Sequence, residues 1–375
     1  KQVAKIRGAV IKTGSSCFTI KERFEVIHGL TLDDVVAFHR SIFSNVYLEW
    51  LVLGNLTKER AIKIVEDTEK IFRKRGDNVK PLPKSCFSEI RCIEIPENTN
   101  AVYNFFEYVP AGGEHDHDDD DESEGEEHKA EEHPDGEADG KSPEGEGEEG
   151  EKDADAQPNC AISAYFQTIV SSLETDIVCQ VFDTYMNEFC YNELRTKQQL
   201  GYVVFAQISY CRGVNGHVIT IQSDVKSPEY LSSRILLFLD ELLEKLSQVS
   251  EEDFKAYIES VRQRKLVKRI SYDDEMSHYF SELQCQKFLF DRSERELEVL
   301  AKITKEMVHQ YASETLQKKR RLLEIQFVPP KFLKENEEGR KSLDVEGKIK
   351  KVIKTEAHEV RRLFKLHPDY YVSEQ

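Results

Sequence analysis

The chain has 375 residues, of which 52 are Lys or Arg and 70 are Asp or Glu, giving a formal net charge of −18 at pH 7. This length is sufficient for two domains with substantial cores. The acidity is local, because 22 acidic residues but only three lysines lie between Glu114 and Ala156. The rest of the chain holds 49 of the 52 basic and 48 of the 70 acidic residues. This balance excludes the basic field expected of a nucleic-acid-binding protein.

The sequence also bears on membranes and cellular location. No stretch approaches the roughly 18 uninterrupted apolar residues of a membrane-spanning helix, so we expect no membrane insertion. The eight cysteines are scattered without a C-x-x-C pair, and Cys179 and Cys190 fall on predicted apolar faces. That pattern favours reduced, buried thiols and a cytoplasmic location. The chain begins at Lys1 and no apolar signal segment follows, so we expect a fragment or a processed piece.

Residues 1–80 are predicted to form helices around one apolar strand at 46–53, which carries the only tryptophan, Trp50. Apolar residues recur at helical spacing after Thr31 and again after Thr57. These elements are too few for a closed sheet. We therefore interpret 1–80 as the end of a domain whose beginning is missing.

The acidic segment 111–157 interrupts the next predicted domain, which comprises 81–110 and 158–330. It is rich in Gly, Glu and Asp and nearly devoid of large apolar residues. It cannot offset the entropy of ordering, so we predict that it is disordered. Its histidines and carboxylates could hold divalent ions loosely. A solvated polyanion that keeps the chain soluble or attracts a basic partner is the favoured interpretation.

The domain on either side of this insert is predicted to be α+β. Alternating apolar segments indicate strands, and 202–210 and 217–223 are predicted to form a hairpin across Asn215-Gly216. Helical patterns are grouped between the strands. We predict a two-layer sandwich in which helices cover one face of an antiparallel sheet, plus the tail of a preceding domain. The C-terminal tail, 331–375, is charged and loosely patterned.

A predicted corner between a helix and a strand carries the candidate functional residues. Ser171 with Glu174 is predicted as a capping box at the start of the helix, and Gly201 as its left-handed stop. Arg195 then lies in the last helical turn and Tyr202 at the beginning of the strand. A guanidinium and a phenol so placed could hold a peptide carbonyl or an oxyanion. The alternative is structural, because an arginine favours a helix C-terminus and tyrosines are common in strands.

The same corner carries a family resemblance. The stretch E-L-R-T-K-Q-Q-L-G-Y at 193–202 resembles the L-R-T-K-x-x-L-G-Y signature in the C-terminal half of the insulinase (pitrilysin-like) family of zinc metallopeptidases. Three further short motifs resemble that family in order and spacing. They are L-G-N-L-T-K at 53–58, F-D-R at 290–292 and T-K-E at 304–306. Apart from the insert, the resemblance covers roughly residues 30 to 328.

The resemblance implies an architecture of four homologous domains in two halves that enclose a peptide. Residues 1–80 would be the tail of the third domain, and 81–110 with 158–330 the fourth. In that family the N-terminal half binds zinc, and the C-terminal half contributes substrate contacts. By motif, Arg195 and Tyr202 fall on family residues that reach the bound peptide and the reacting carbonyl. Hairpin positions such as Phe205 are expected to line the same wall.

The family's zinc motif is absent from this sequence. That motif is an H-x-x-E-H helix with a downstream glutamate, which leaves one coordination position for water. The nearest match, His128 to His133 in the insert, is one residue too long, and His358-Glu359 with His367 also fails the spacing. We therefore expect no metal site in this chain, which alone would be inert. Zinc would come from the N-terminal half, the expected partner, and peptides would be the substrates.

Two other functions are compatible with the sequence. The chain could be a non-catalytic family scaffold whose acidic loop recruits a basic protein. An H-x-x-E-H segment upstream in the same chain would favour the enzyme, and its absence the scaffold. The polyanion could also be the functional element, as an ion buffer or a chaperone of basic proteins. The insert interrupts two strands of the predicted fourth domain. The binding partners of family members whose acidic segment lies in another domain therefore cannot be assigned to this chain.

Overall fold

A computed structural model of the chain describes residues 2–13, 18–75, 80–83, 91–105, 159–211, 213–285, 287–342, 350–354, 362 and 364–366. The acidic insert 111–157, and with it the prediction of disorder, lies outside these residues. The described residues within 1–107 and 158–375 form one compact unit. None of the described helices is both long enough and apolar enough to cross a membrane.

The elements follow one another in an order that mixes helices and strands. The helices are α1 Gln2–Ile11, α2 Ile20–Ile27, α3 Leu32–Ser41, α4 Lys58–Arg75, α5 Leu173–Cys190, α6 Pro228–Gln248, α7 Glu251–Leu266, α8 Tyr272–Gln284, α9 Arg292–Leu300, α10 Lys305–Ser313 and α11 Leu333–Ser342. The strands are β1 Lys12–Thr13, β2 Asn45–Val46, β3 Lys80–Pro81, β4 Arg91–Glu94, β5 Thr99–Phe105, β6 Cys160–Val170, β7 Val203–Cys211, β8 Val214–Ser223, β9 Arg321–Phe327, β10 Lys350–Lys354 and β11 Lys365–Leu366. Two π-helices, Tyr191–Lys197 and Glu314–Lys318, directly continue α5 and α10.

Side-chain caps define where several helices begin. Ser227 caps α6, with Pro228 in the first turn, as the sequence predicts. The cap of α5 is Ser172, which forms a capping box with Thr175, one residue later than predicted at Ser171. Ser171 instead donates a hydrogen bond to Asp176 at 2.7 Å. The prediction of the cap was therefore wrong by one residue, because the hydroxyl of Thr175 accepts from the Ser172 N–H in place of the usual Glu or Gln.

The main sheet has six strands among the described residues, in the order β10-β5-β9-β6-β8-β7. Three neighbouring pairs, β9–β6, β6–β8 and β8–β7, are antiparallel. β5 runs parallel to β9, and β10 runs parallel to β5. The predicted α+β fold is confirmed, but the sheet is mixed rather than antiparallel throughout. A hairpin turn fixes only the direction of adjacent strands, and the β5–β9 pairing is too distant in sequence for any local pattern to specify.

The β7–β8 hairpin turns earlier than the sequence predicts. Asn215 and Gly216 lie within β8, where they pair with Tyr210 and Ser209. The connection instead passes through Gly213, whose φ of 78° lies in the left-handed region that glycine adopts without strain. β8 therefore begins three residues earlier than predicted, whereas β7 keeps its predicted length and is shifted by one residue.

The sheet is covered on both faces. On one face, α5, α6 and α10 pack against alternate residues of β6, β8 and β7, forming the larger core. That core includes Phe166, Phe182, Met186, Phe238 and Leu242, all fully buried. On the opposite face, residues of α1 and β4 cover the sheet, among them Val10, Ile11 and Ile93. α1 lies within the predicted preceding-domain segment 1–80, yet Arg7 donates a hydrogen bond to Ser163 of β6 at 3.1 Å.

Among the described side chains of residues 18–75, none of the large apolar ones is buried, and most are exposed. The predicted strand at 46–53 is reduced to β2, which pairs with β3, and Trp50 is 39% exposed. α3 buries none of its side chains. The exposed apolar residues include Phe24, Leu32, Phe38, Phe43 and Ile71. The amphipathic patterns therefore form helices, but their apolar faces do not build a core within the described residues.

Candidate functional site

The predicted corner is built on a π-helix. α5 passes without interruption into Tyr191–Lys197, and the N–H of Gln198 bonds to the carbonyl of Glu193 at 3.0 Å, five residues back. The hydroxyl of Thr196 also donates to the carbonyl of Tyr191, at 3.4 Å. Such i→i+5 segments are rare and often mark functional sites. Arg195 lies within this π-helix.

The π-helix ends in a left-handed turn at Gln199, whose φ is 50°. The N–H of Leu200 closes this turn on the carbonyl of Leu194 at 3.0 Å. Both leucines are buried in the larger core, which anchors the turn. The prediction that Gly201 is the left-handed stop was therefore wrong. The reversal comes two residues earlier, at a residue for which sequence gives no left-handed signal.

Arg195 contacts two tyrosine rings. Its guanidinium carbon is 4.8 Å from the ring centroid of Tyr191 and 5.7 Å from that of Tyr202, both within cation–π range. Its Nη1 donates a hydrogen bond to the Tyr191 hydroxyl at 2.9 Å. Tyr202 is 84% exposed. The structure thus brings the predicted pair together and presents a guanidinium and a phenol on one accessible surface.

Phe205 is the third residue of β7 and is half-buried. Its strand neighbours Val204 and Ala206 belong to the larger core, so alternation directs Phe205 to the other face of the sheet. No ring contact joins Phe205 to Tyr202 among the described residues. Phe205 therefore lies in the strand that Tyr202 precedes, without sharing the ring contacts of Tyr202 in the described part of the chain.

A polar network fixes the end of the π-helix to α6. Arg234 of α6 donates from both Nε and Nη2 to the side-chain oxygen of Gln198, each at 2.9 Å. Gln198 in turn donates to Glu193 at 3.1 Å, and Lys197 donates to the same carboxylate at 2.9 Å. The hydrogen bond from Lys197, followed by that from Gln198, lowers the pKa of Glu193. This network holds the segment that carries Arg195 against the helical layer.

Sequence reasoning missed the supporting residues for different reasons. Tyr191 stands four residues before Arg195, a helical spacing that brings side chains together, so it could have been found. Arg234 is 36 residues from Gln198, and no local pattern connects them. The contribution of Arg234 becomes apparent only from the structure, in which α6 packs against the corner.

No group of three or more His, Cys, Asp or Glu side chains that could hold a metal occurs in the part of the chain that the structure describes. Nε2 of the buried His217 lies 2.8 Å from the Tyr311 hydroxyl, in a polar cluster on the face of the sheet that α5 and α10 cover. His128, His133, His358 and His367, considered above as zinc ligands, lie outside the described residues.

Comparisons with known proteins agree with the resemblance in the sequence. A family model described as PQQ synthase PqqF-like, C-terminal lobe domain 4, matches residues 181–280, which include Arg195 and Tyr202. Insulin-degrading enzyme of Homo sapiens is 27% identical over 299 residues, 80% of this chain and 24% of that protein. The nardilysin-like protein of Arabidopsis thaliana is 26% identical over 290 residues, 76% of this chain and 23% of that protein.

Among solved structures, pitrilysin superposes with a TM-score of 0.64 and 15% identity, covering 94% of this chain and 31% of the pitrilysin chain. At this identity the likeness shows the fold. The chain spans about a quarter of the length of the curated relatives it matches.

Proposed function

Because this chain belongs to the insulinase (pitrilysin-like) family, we propose that it forms the metal-free, substrate-binding C-terminal half of a zinc metalloendopeptidase that hydrolyses peptides in a closed chamber. The observation that carries the proposal is the exposed Arg195–Tyr202 pair at the end of the π-helix. The match of 181–280 to a C-terminal lobe domain 4 supports the assignment of 81–110 and 158–330 to a fourth domain. Residues 1–80 would then supply the tail of a third.

In this proposal the two side chains have different chemical roles. The guanidinium of Arg195 binds a main-chain carbonyl of the peptide through charge-assisted hydrogen bonds. The phenolic O–H of Tyr202 donates to the oxyanion that forms when water attacks the scissile carbonyl. Phe205 lines the same wall. The zinc of the other half, when bound, supplies an activated water and polarises the carbonyl.

The exposed apolar side chains of α2, α3 and α4 support a partner half. Leu32 is 78% exposed, Phe38 63% and Phe24 59%. Apolar surface of this extent is unfavourable in water and is typical of a face that packs against further protein. This face would therefore be covered in the complete enzyme.

We also propose a cytoplasmic location for the enzyme. The supporting observation is that Cys92, Cys160, Cys179 and Cys190 are buried free thiols. Stable unpaired thiols suit a reducing compartment.

The first experiment mixes this chain with the N-terminal half of its own enzyme at known zinc content and follows cleavage of an internally quenched peptide. We expect each half alone to be inert and the mixture to cut. Tyr202→Phe should lower kcat by about 10²–10³-fold with little change in KM, because the lost donor acts mainly in the transition state. Arg195→Ala should impair cleavage as well.

The matched control is Tyr279→Phe in α8, where the guanidinium of Arg269 lies 5.8 Å from the tyrosine ring. This pair reproduces the ring contact of Arg195 and Tyr202 outside the corner, and its substitution should leave kcat unchanged. Unchanged kcat and KM in Tyr202→Phe would remove that residue from the mechanism. A zinc-loaded complex that forms but never cuts would replace the peptidase by a binding scaffold.

A further inference from the structure

We propose that Tyr191 is the positioning residue for Arg195: its ring and its hydroxyl together hold the guanidinium in the orientation that receives the peptide. The inference rests on the function proposed above, because it concerns how the substrate-binding arginine is prepared. It assigns a role to a residue outside the pair that the sequence singled out.

Arg195 makes more contacts with Tyr191 than with Tyr202. Tyr191 offers both a ring, at 4.8 Å, and a hydroxyl that accepts from Nη1 at 2.9 Å. Tyr202 offers only a ring, at the longer distance of 5.7 Å. A hydrogen bond combined with a ring contact fixes both the position and the rotation of a planar guanidinium. Tyr191 therefore determines the orientation of Arg195, whereas the hydroxyl of Tyr202 is not used in holding it.

The helical segment that carries Tyr191 is fixed by buried neighbours, so Tyr191 can hold Arg195 in place. Tyr191 is the first residue of the π-helix, and its neighbour Cys190 is fully buried. Leu194, immediately before Arg195, is also fully buried. Both belong to the larger core, so the two side chains that meet at the surface start from fixed points on one helical segment. An otherwise mobile arginine is thereby ordered before substrate arrives, which reduces the entropy lost on binding.

A purely structural role is the competing explanation, and it makes a different prediction. Tyr191 is 44% exposed, and contacts between exposed polar side chains contribute little to folding stability. Removing its hydroxyl should therefore leave thermal stability unchanged. A role in positioning should appear only in kinetics.

The test is a double-mutant cycle in the full-length enzyme, with Tyr191→Phe, Arg195→Ala and the double variant. Tyr191→Phe keeps the ring and removes the hydroxyl, and should lower kcat/KM by about fivefold to tenfold. In the Arg195→Ala background the same change should have no further effect. Tyr191→Leu, which also removes the ring, should be more impaired than Tyr191→Phe, and all variants should melt at the temperature of the parent enzyme.

The outcomes separate this inference from the proposed function. If the parent enzyme does not cleave peptides, the proposed function itself is wrong. If Arg195→Ala cleaves as well as the parent enzyme, the substrate-binding role of Arg195 is wrong, and the role of Tyr191 falls with it. If Arg195→Ala is impaired and Tyr191→Phe is normal, only the role of Tyr191 is overturned. An equal loss from Tyr191→Phe in both backgrounds would show that Tyr191 acts on the substrate directly rather than through Arg195.

Discussion

Gly201 lies so close to the backbone of Gln222 that a Cβ on it would stand 2.0 Å from the carbonyl oxygen of Gln222. Gly201 precedes β7, and Val203, two residues further on, pairs with Gln222 of β8. The glycine is therefore required by the close approach of two strands, which places Tyr202 beside the end of the π-helix. Any larger residue would push the beginning of β7, and Tyr202 with it, away from β8.

We expect Gly201→Ala to destabilise the chain by about 3 kcal/mol, the upper part of the range for overpacking, because the obstacle is backbone that cannot rotate away. Urea unfolding of the 375-residue chain measures the effect. Gly8→Ala in α1 is the control, since a Cβ there meets nothing within 4 Å. That change should stabilise the helix by about 0.5–1 kcal/mol. An unchanged midpoint for Gly201→Ala would contradict the steric account.

The corner between the π-helix and β7 shows which structural features can be predicted from the sequence and which cannot. Periodicity and β-propensity predict Arg195 near a helix end and Tyr202 near the start of a strand, and the structure has Arg195 in the π-helix and Tyr202 immediately before β7. The cap and the stop were each predicted at the wrong residue, because a threonine replaces the usual Glu or Gln of the capping box and a glutamine replaces the expected left-handed glycine. The π-helix has no sequence signature, and the reversal at Gln199 occurs in a residue that rarely adopts a positive φ.

The fold shows the same limit. The hairpin and the helices of 173–313 follow from local patterns, so their existence was predictable. The parallel pairing of β5 with β9 depends on contacts across more than 200 residues. The strand β10 comes from a tail whose charged sequence gives little strand signal. Non-local contacts, rather than local propensity, decide these features.

Because Arg234 holds Gln198 through two hydrogen bonds, we predict that substituting Arg234 destabilises the corner locally and leaves the stability of the whole chain largely unchanged. Arg234→Leu removes both hydrogen bonds to Gln198 and leaves the turn anchored by its backbone hydrogen bonds and by the buried Leu194 and Leu200. Amide exchange at Gln198 and Leu200, whose N–H groups close the turn, should accelerate about tenfold. Hydrogen exchange followed by mass spectrometry measures this directly.

Arg264→Leu is the matched control for that experiment. Arg264 of α7 donates to the hydroxyl of Thr184 in α5 at 2.7 Å, an arginine contact between helices away from the turn. Its loss should leave exchange at Gln198 and Leu200 unchanged. Equal protection of these amides in Arg234→Leu and the parent chain would show that the network does not hold the corner.

Three buried thiols predict that the chain loses stability at alkaline pH. Burial raises the pKa of Cys160, Cys179 and Cys190 to about 12, from an ordinary value of 9.0. Between these values the folded thiols stay protonated while the same thiols ionise in the unfolded chain. The unfolded state then binds fewer protons, so the free energy of unfolding falls as pH rises from 9 toward 12. Below pH 9 the three thiols contribute their full stabilisation.

Urea unfolding at pH 8, 9 and 10 tests this expectation. Each thiol should steepen the decline between pH 9 and 10 by about 1 kcal/mol per pH unit. Cys190→Ala should lower stability at every pH, because it leaves a cavity, but should also make the decline shallower by that amount. Cys285→Ala is the control, since Cys285 is exposed and its removal should not alter the slope. Identical slopes for Cys190→Ala and Cys285→Ala would show that the Cys190 thiol ionises as readily in the folded chain as in the unfolded one.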